Sequence, residues 1–317
     1  MPEATGPAQE QDAEFAALVA PHVHELRLHC YRMLGSATDA EDTLQEVLLA
    51  AWRGLPQFEG RSSTRTWLYS IATRRCLNAL RDGRRRPAVP VPPFEVPEPT
   101  RRGEITWLQP CPTAWGDSDP TSRHGNHEDV SLAFVAALQH LPARQLATVV
   151  LCDVLDFTVD EVADILRASP VAVKGLLQRG RAGLSARPAA GRTDAATDDL
   201  VRRFADAFVA RDIDGVVALL AQHATWSMPP APHEYQGVDD IASFLTASWA
   251  WPGNHSLSLQ PTSANGQPAF GCYMGGSWAG LVVLTVSGGR VEGVTRFLDG
   301  DLWRPFALPA QRDDPRL

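Results

Sequence analysis

Nine of the 25 prolines fall between Pro87 and Pro120. No helix or central strand runs through such a stretch, because each proline lacks an N–H and fixes its own φ. Helical periodicity lies on both sides of it, so the chain reads as separately folded blocks joined by an extended, proline-stiffened linker over residues 87–127. At ~100–200 residues per domain, the length of 317 fits two or three domains. Ile105, Trp107, Leu108 and Trp115 stand out in the linker, and their apolar bulk is expected to dock onto a folded surface.

Before the linker, residues 1–12 are expected to be disordered and residues 13–86 form the first helical block. Phe15, Leu18, Val23, Leu26, Cys30 and Met33 mark a helix bent or restarted at Pro21. Thr38 and Glu41 are spaced as a capping box. After them Leu44, Val47, Leu48, Ala51 and Trp52 recur at helical spacing. A polar loop over 58–64 leads to a third helix with Trp67, Leu68, Ile71 and Leu80. The second block, 128–187, carries a stripe of Val130, Phe134, Leu138 and Leu141, and a helix opened by Pro142. It also holds a capping box at Thr158 and Glu161, then a last helix capped by Ser169 with Pro170 at its first turn. A short helix, a tight turn and a capped basic helix is the pattern of a helix-turn-helix.

The net charge of −8 conceals a segregation. Residues 10–59 hold nine acids and three arginines, whereas 61–86 hold eight arginines and one acid. Residues 131–166 carry a net −4, and 167–192 carry Lys174 and five arginines with no acid. Two compact basic blocks in an acidic chain point to two polyanion contacts. The five cysteines form no CxxC pair, which speaks against a disulfide scaffold or zinc ribbon and fits a reducing cytoplasm. No secretory signal or membrane span is expected. His22, His24, His29 and Cys30 lie close together but lack a second paired cluster, so no metal site is assigned.

Residues 188–197 read as a second linker, 198–305 as an α+β domain and 306–317 as a tail. Two helical stripes come first, then strand-like runs at 225–228, 255–261, 269–274, 278–286 and 290–298, expected as an antiparallel sheet. Asn265-Gly266 and Ser287-Gly288-Gly289 are turn signals. Trp226, Met228, Tyr235, Trp249, Tyr273 and Trp278 could line a pocket, and core packing would use them equally well. His223, Tyr235 and Asp299 are the candidate acid/base groups of an enzyme reading.

The runs Asp39-Ala40-Glu41-Asp42-Thr43-Leu44-Gln45-Glu46-Val47 and Phe58-Glu59-Gly60-Arg61-Ser62-Ser63-Thr64-Arg65-Thr66-Trp67 resemble region 2 of sigma-70 factors of the extracytoplasmic-function type. Leu138-Gln139-His140-Leu141-Pro142 and Val173-Lys174-Gly175-Leu176-Leu177-Gln178-Arg179-Gly180-Arg181 resemble region 4. Element order in 198–305 resembles a SnoaL-like cone, the fold of nuclear transport factor 2 and ketosteroid isomerase. The resemblance implies a multidomain chain: two all-α domains, then an α+β cone. It implies a non-catalytic initiation subunit without cofactor, partnered by the clamp helices and flap of core RNA polymerase and by promoter DNA. An anti-sigma protein is a further partner it allows, and the site of action is cytoplasmic. Asp39, Asp42, Gln45, Glu46 and Leu49 would then meet the polymerase. Phe58, Arg61, Ser62, Ser63, Arg65, Trp67, Arg74, Arg75, Asn78 and Arg81 would meet the −10 element. Pro170, Val171, Lys174, Gln178, Arg179 and Arg181 would meet the −35 element, with Gln178 suited to adenine and the arginines to guanine or phosphate. Trp107, Leu108 and Pro110, in a Trp-Leu-x-Pro segment, would dock the linker. Two other readings stay open: a stand-alone helix-turn-helix regulator with a ligand-sensing tail, and an isomerase or cyclase with accessory helices.

Overall fold

The computed structural model describes residues 7–82, 95–102, 108–115, 131–184, 195–229, 231–251 and 256–312. They belong to two compact units, Met1–Arg85 with Ala114–Pro188, and Arg86–Thr113 with Ala189–Leu317.

The first unit is helical. Its first block contains α1 (Pro7–Val19), α2 (Val23–Leu34), α3 (Ala37–Gly54) and α4 (Thr64–Arg81). The chain does restart at Pro21, but helix begins at Pro7, inside the segment expected to be disordered. The cap of α3 also differs from the sequence expectation. Ser36, not Thr38, is the N-cap, and its side chain accepts from the Asp39 N–H. Serine two residues upstream takes extended φ/ψ, which leaves Thr38 inside the first turn. Leu26, Cys30, Met33, Leu44, Val47, Leu68 and Ala72 are buried between α2, α3 and α4. Each of the leucines, Met33 and Val47 contributes roughly 1.5–3 kcal/mol of burial.

The second block contains α5 (Leu132–Gln139), α6 (Ala143–Val149) with a π-turn over Val150–Val154, α7 (Val159–Leu166) and α8 (Pro170–Gly183). The Thr158–Glu161 capping box forms in full, and Ser169 caps α8 ahead of Pro170. Pro142 is the N-cap of α6 rather than its first residue. Gly35 ends α2 at φ +68°, and the absent Cβ leaves room for Gln139, whose Nε2 donates to the Arg32 carbonyl at 3.1 Å. That contact ties α5 to α2 inside the unit.

The second unit holds α9 (Ala195–Ala210), α10 (Ile213–Leu219), α11 (Val238–Ala250) and a seven-stranded sheet. The strands are β1 (Arg101–Arg102), β2 (Leu220–Ser227), β3 (His233–Gln236), β4 (Leu257–Ala264), β5 (Gln267–Met274), β6 (Ser277–Ser287) and β7 (Arg290–Phe297), in the order β1-β3-β2-β7-β6-β5-β4. The sheet is mixed rather than antiparallel, because β2 pairs with β7 in parallel. The hairpins β4–β5 and β6–β7 turn at the Asn-Gly and Ser-Gly-Gly signals. β1, β3 and α11 had no counterpart in the sequence reading. Phe204, Phe208, Ile241, Phe244 and Leu245 of the helices close over Trp226, Phe270, Cys272, Val282, Leu284 and Val294 on the inner face of the sheet.

Candidate functional site

On α3 the side chains named for polymerase contact share one exposed face. Asp42, Gln45 and Glu46 are exposed, Leu49 is 48% exposed, and Asp39 is half-buried in the first turn. Positions 42, 45, 46 and 49 fall on one stripe of a 3.6-residue period. Trp52 continues the stripe, 39% exposed, with its Nε1 donating to Asp12 at 3.0 Å. Glu46 stands 3.8 Å from Arg75 of α4, so the acidic and first basic sets adjoin.

The first basic set is not uniform. Arg74 is exposed and makes no ion pair with a described residue, and Asn78 is exposed. Arg61 lies 3.3 Å from Glu59, and Arg81 lies 2.9 Å from Asp82, both in open water. Ser62 and Ser63 are exposed in the loop, and Ser63 caps α4 by accepting from the Thr66 N–H. Phe58 and Trp67 stack on each other, centroids 4.5 Å apart, both half-buried. Arg65 is turned inward. Its Nη2 donates to the Leu155 carbonyl at 2.8 Å, and its guanidinium sits 4.0 Å from the Phe157 ring centroid and 5.3 Å from that of Tyr69. In this structure Arg65 is a bond between the two helical blocks, not an exposed phosphate ligand. The sequence reading missed Leu155 and Phe157 because these contacts span about ninety residues, beyond any local pattern.

Nearby lies the histidine group. His29 is fully buried, edge-on to Tyr69, with Nε2 3.0 Å from Thr73 Oγ1. Burial, reinforced by Arg32 and Arg65, drives its pKa from 6.5 to about 3. It is a neutral core histidine between α2 and α4.

The second basic set has a clear inner and outer side. Val173 and Gly180 of α8 are buried, and a Cβ on Gly180 would stand 2.6 Å from Val149 Cγ2 of α6. That glycine serves helix–helix approach. Pro170, Val171, Lys174, Gln178 and Arg179 are exposed, Val171 by 79%. Residues 171, 174 and 178 fall on one helix face. Arg181 is held by Asp153, Nη2 to Oδ1 2.6 Å, a bidentate pair that raises the arginine's pKa further.

In the second unit the described parts of the expected linker, residues 95–102 and 108–113, lie on the tail domain. Arg101 and Arg102 pair with Glu234 and His233 as the edge of the sheet. Tyr235 donates its hydroxyl to the Pro97 carbonyl at 3.0 Å, and Gln236 N–H donates to Thr100 Oγ1. Leu108 and Pro110 are buried, Gln109 donates to Asp299, and Cys111 and Asn265 exchange two hydrogen bonds of 3.0 Å. Ile105 and Trp107 fall outside the described residues. Trp115 belongs to the first unit, edge-on to Tyr31 and under Arg27.

The six aromatic and methionine candidates of the tail do not converge. Trp226, Met228, Tyr235 and Trp249 belong to the cluster inside the cone. Tyr273 and Trp278 lie on the other face of the sheet, bound to the Pro309 and Asp299 carbonyls. Strand alternation separates them: Phe270 and Cys272 of β5 point in, so Tyr273 points out. The three acid/base candidates also scatter, since His223 is exposed, Tyr235 is bonded to the linker and Asp299 to Gln109.

Three family profiles match in order: Sigma-70 region 2 over residues 18–86, Sigma-70 region 4 over 131–184 and a SnoaL-like domain over 201–297. SigG, an ECF RNA polymerase sigma factor of Mycobacterium tuberculosis, is 44% identical over 96% of this chain and 86% of its own length. The chain belongs to the ECF sigma factors. A second family member from that organism, SigJ, is 30% identical over 68% of this chain and 67% of its own. The crystal structure of SigJ covers 94% of this chain and 99% of its own at a TM-score of 0.57 and 23% identity, which fixes the shared fold. In sigma-factor terms, α3 and α4 lie in region 2 and α6–α8 in region 4, and the helical cover and mixed sheet form the SnoaL-like tail.

Proposed function

We propose that this sigma factor, which directs transcription initiation as a non-catalytic subunit, holds core RNA polymerase by the α3 face of Asp42, Gln45, Glu46 and Leu49. By the same reading it meets the −10 element through the 58–63 loop and the outer face of α4, and the −35 major groove through α8. The observation that carries this is the two-sided build of α8. Gly180 and Val173 seal one side against its own domain, while Val171, Lys174, Gln178 and Arg179 stand in water on the other. A capped helix presenting a row of long polar and basic side chains, with its N-terminus free, is shaped for a groove. Docking of 95–102 and 108–113 onto the SnoaL-like tail supports a second element, in which the tail holds the connection between regions 2 and 4 and so tunes activity in cis. The cytoplasm is the compartment where such a subunit acts, and no helix of the described residues is long and apolar enough to cross a membrane.

The test is transcription from a discrete promoter by purified protein plus core polymerase. Lys174→Ala with Arg179→Ala should abolish −35-dependent initiation and leave co-purification with core intact. Asp42→Arg with Glu46→Arg should do the reverse, reducing capture by core at unchanged duplex binding. Loss of both functions in both variants would remove the assignment of separate faces. Leu108→Asp, which puts a charge at the buried linker contact, should change initiation several-fold at unchanged core binding; identical transcription would remove the tuning role.

A further inference from the structure

Three buried nitrogen atoms on the inner face of the tail domain make no hydrogen bond: Trp226 Nε1, His233 Nδ1 and Arg296 Nε. Their strands place them together. Trp226 pairs with Tyr235 of β3 on one side and Val294 of β7 on the other, and all three belong to the core cluster. His233 and Arg296 lie two residues further along those same two strands, so strand alternation keeps them on the same face. They flank Met228, the next inward residue after Trp226. Arg296 is confirmed on that face by its cross-strand partner Val282, whose own partner Phe270 is in the core. Trp226 is the diagonal neighbour of each, roughly 7–8 Å away, while His233 and Arg296 face each other across β2 at about two strand spacings, roughly 9–10 Å, a gap that one small group can bridge between side chains as long as these.

Arginine keeps its charge even in an apolar site, and buried polar nitrogens normally have partners. Arg296 forms no ion pair with a described residue. Glu234, beside His233, is turned to the opposite face by the same alternation. Cys272 feels Arg296, yet burial pushes its thiol up to about 11, so it offers no negative charge at neutral pH. Beside Trp226 the neighbours are aromatic, with Phe208 and Phe244 ring centroids 5.9 and 6.0 Å from it and Trp249 against Phe208.

We propose that the inner face formed by β2, β3 and β7 binds a small carboxylate with an apolar body, the carboxylate taken by Arg296, Trp226 and His233 and the body by the aromatic cluster. The site adjoins the linker, since Tyr235 of the same row bonds to Pro97 and Val96 packs on the same cluster. Occupancy would therefore be felt at the segment joining regions 2 and 4.

Equilibrium dialysis of the full-length protein tests this with 1-naphthoate as probe and 1-naphthalenemethanol as its uncharged counterpart. Naphthoate should bind saturably, one per chain, and at least ten-fold tighter than the alcohol. Arg296→Met should remove that preference, and Trp226→Phe, which keeps an aromatic ring but no donor, should weaken naphthoate several-fold while sparing the alcohol. If the arginine variant fails to fold, Trp226→Phe decides alone. No saturable binding, equal affinity for acid and alcohol, or a preference that survives both substitutions would each overturn the proposal.

Discussion

Replacing Arg65 by alanine should weaken the packing of the two helical blocks while leaving promoter electrostatics unchanged. Besides the more distant Tyr69 ring at 5.3 Å, three interactions go with the guanidinium. The bond to the Leu155 carbonyl at 2.8 Å is made by a charged donor, a class that contributes ~1.5–3 kcal/mol. The Phe157 ring at 4.0 Å adds about 0.5–2 kcal/mol. Glu25 at 4.0 Å, with both partners about a third exposed, adds roughly 0–1 kcal/mol. The arginine side chain is 33% exposed and neighbouring terms are not additive, so the low ends apply and the loss should be about 2–3 kcal/mol. In a unit of this size that is a fall in melting midpoint of roughly 5–10 °C. Guanidinium unfolding of the full-length chain measures it. The affected transition is the one that Phe157→Leu also moves, and the double variant should lose less than the sum of the singles. Promoter binding by the holoenzyme supplies the second readout. A phosphate ligand contributes about 0.9 to the slope of log K against log salt on duplex DNA. Arg65→Ala should leave that slope unchanged, whereas exposed Arg74→Ala should lower it by about that amount. An unfolding midpoint that holds while the Arg65→Ala slope drops by ~0.9 would refute the internal role.

Gly180→Ala and Gly175→Ala should have opposite signs. The first drives a Cβ to 2.6 Å from Val149 Cγ2 and 3.3 Å from the Gln145 carbonyl, so overpacking of ~1–3 kcal/mol outweighs a helix gain of about 1 kcal/mol. The second meets only the flexible end of Arg179 at 3.4 Å and should stabilise by up to ~1 kcal/mol; thermal melts of the two variants check the contrast. His29 makes the first unit acid-sensitive. Its folded pKa of about 3 lies below the unfolded 6.5, so the unfolded chain binds the extra proton across that window. Its contribution is therefore whole above pH 6.5 and is lost as pH falls toward 3, at up to ~1.4 kcal/mol per unit. His29→Leu should flatten the pH dependence of the unfolding midpoint between pH 6.5 and 4; an equal slope in both proteins would count against the burial argument.

Most helix positions, most caps and the hairpin turns in this chain were readable in advance, because each rests on neighbours within about seven residues, although α11 and the start of α1 were not. Ser169-Pro170, Thr158 with Glu161, and Asn265-Gly266 carry their geometry locally. So does the charge segregation that places acids on α3 and bases on α4 and α8. Misplacement of the α3 cap at Thr38 shows the limit of such reading, since Ser36 satisfies the same helix end and only backbone conformation chooses between them. Everything that depends on distant partners was decided by tertiary structure. The parallel β2–β7 pair joins residues about seventy apart, and no strand pattern encodes which edge a strand will meet. Arg65 looks like its exposed neighbours in sequence and differs only because Leu155 and Phe157 arrive beside it. Tyr273 and Trp226 look alike as aromatic strand residues, yet register puts one outside the cone and the other inside. The segments 95–102 and 108–113, proline-rich and without periodicity, find hydrogen bonds on the tail domain, because backbone groups of Arg101, Arg102 and Cys111 are satisfied by the edge of β3 and the turn at Asn265 rather than by one another.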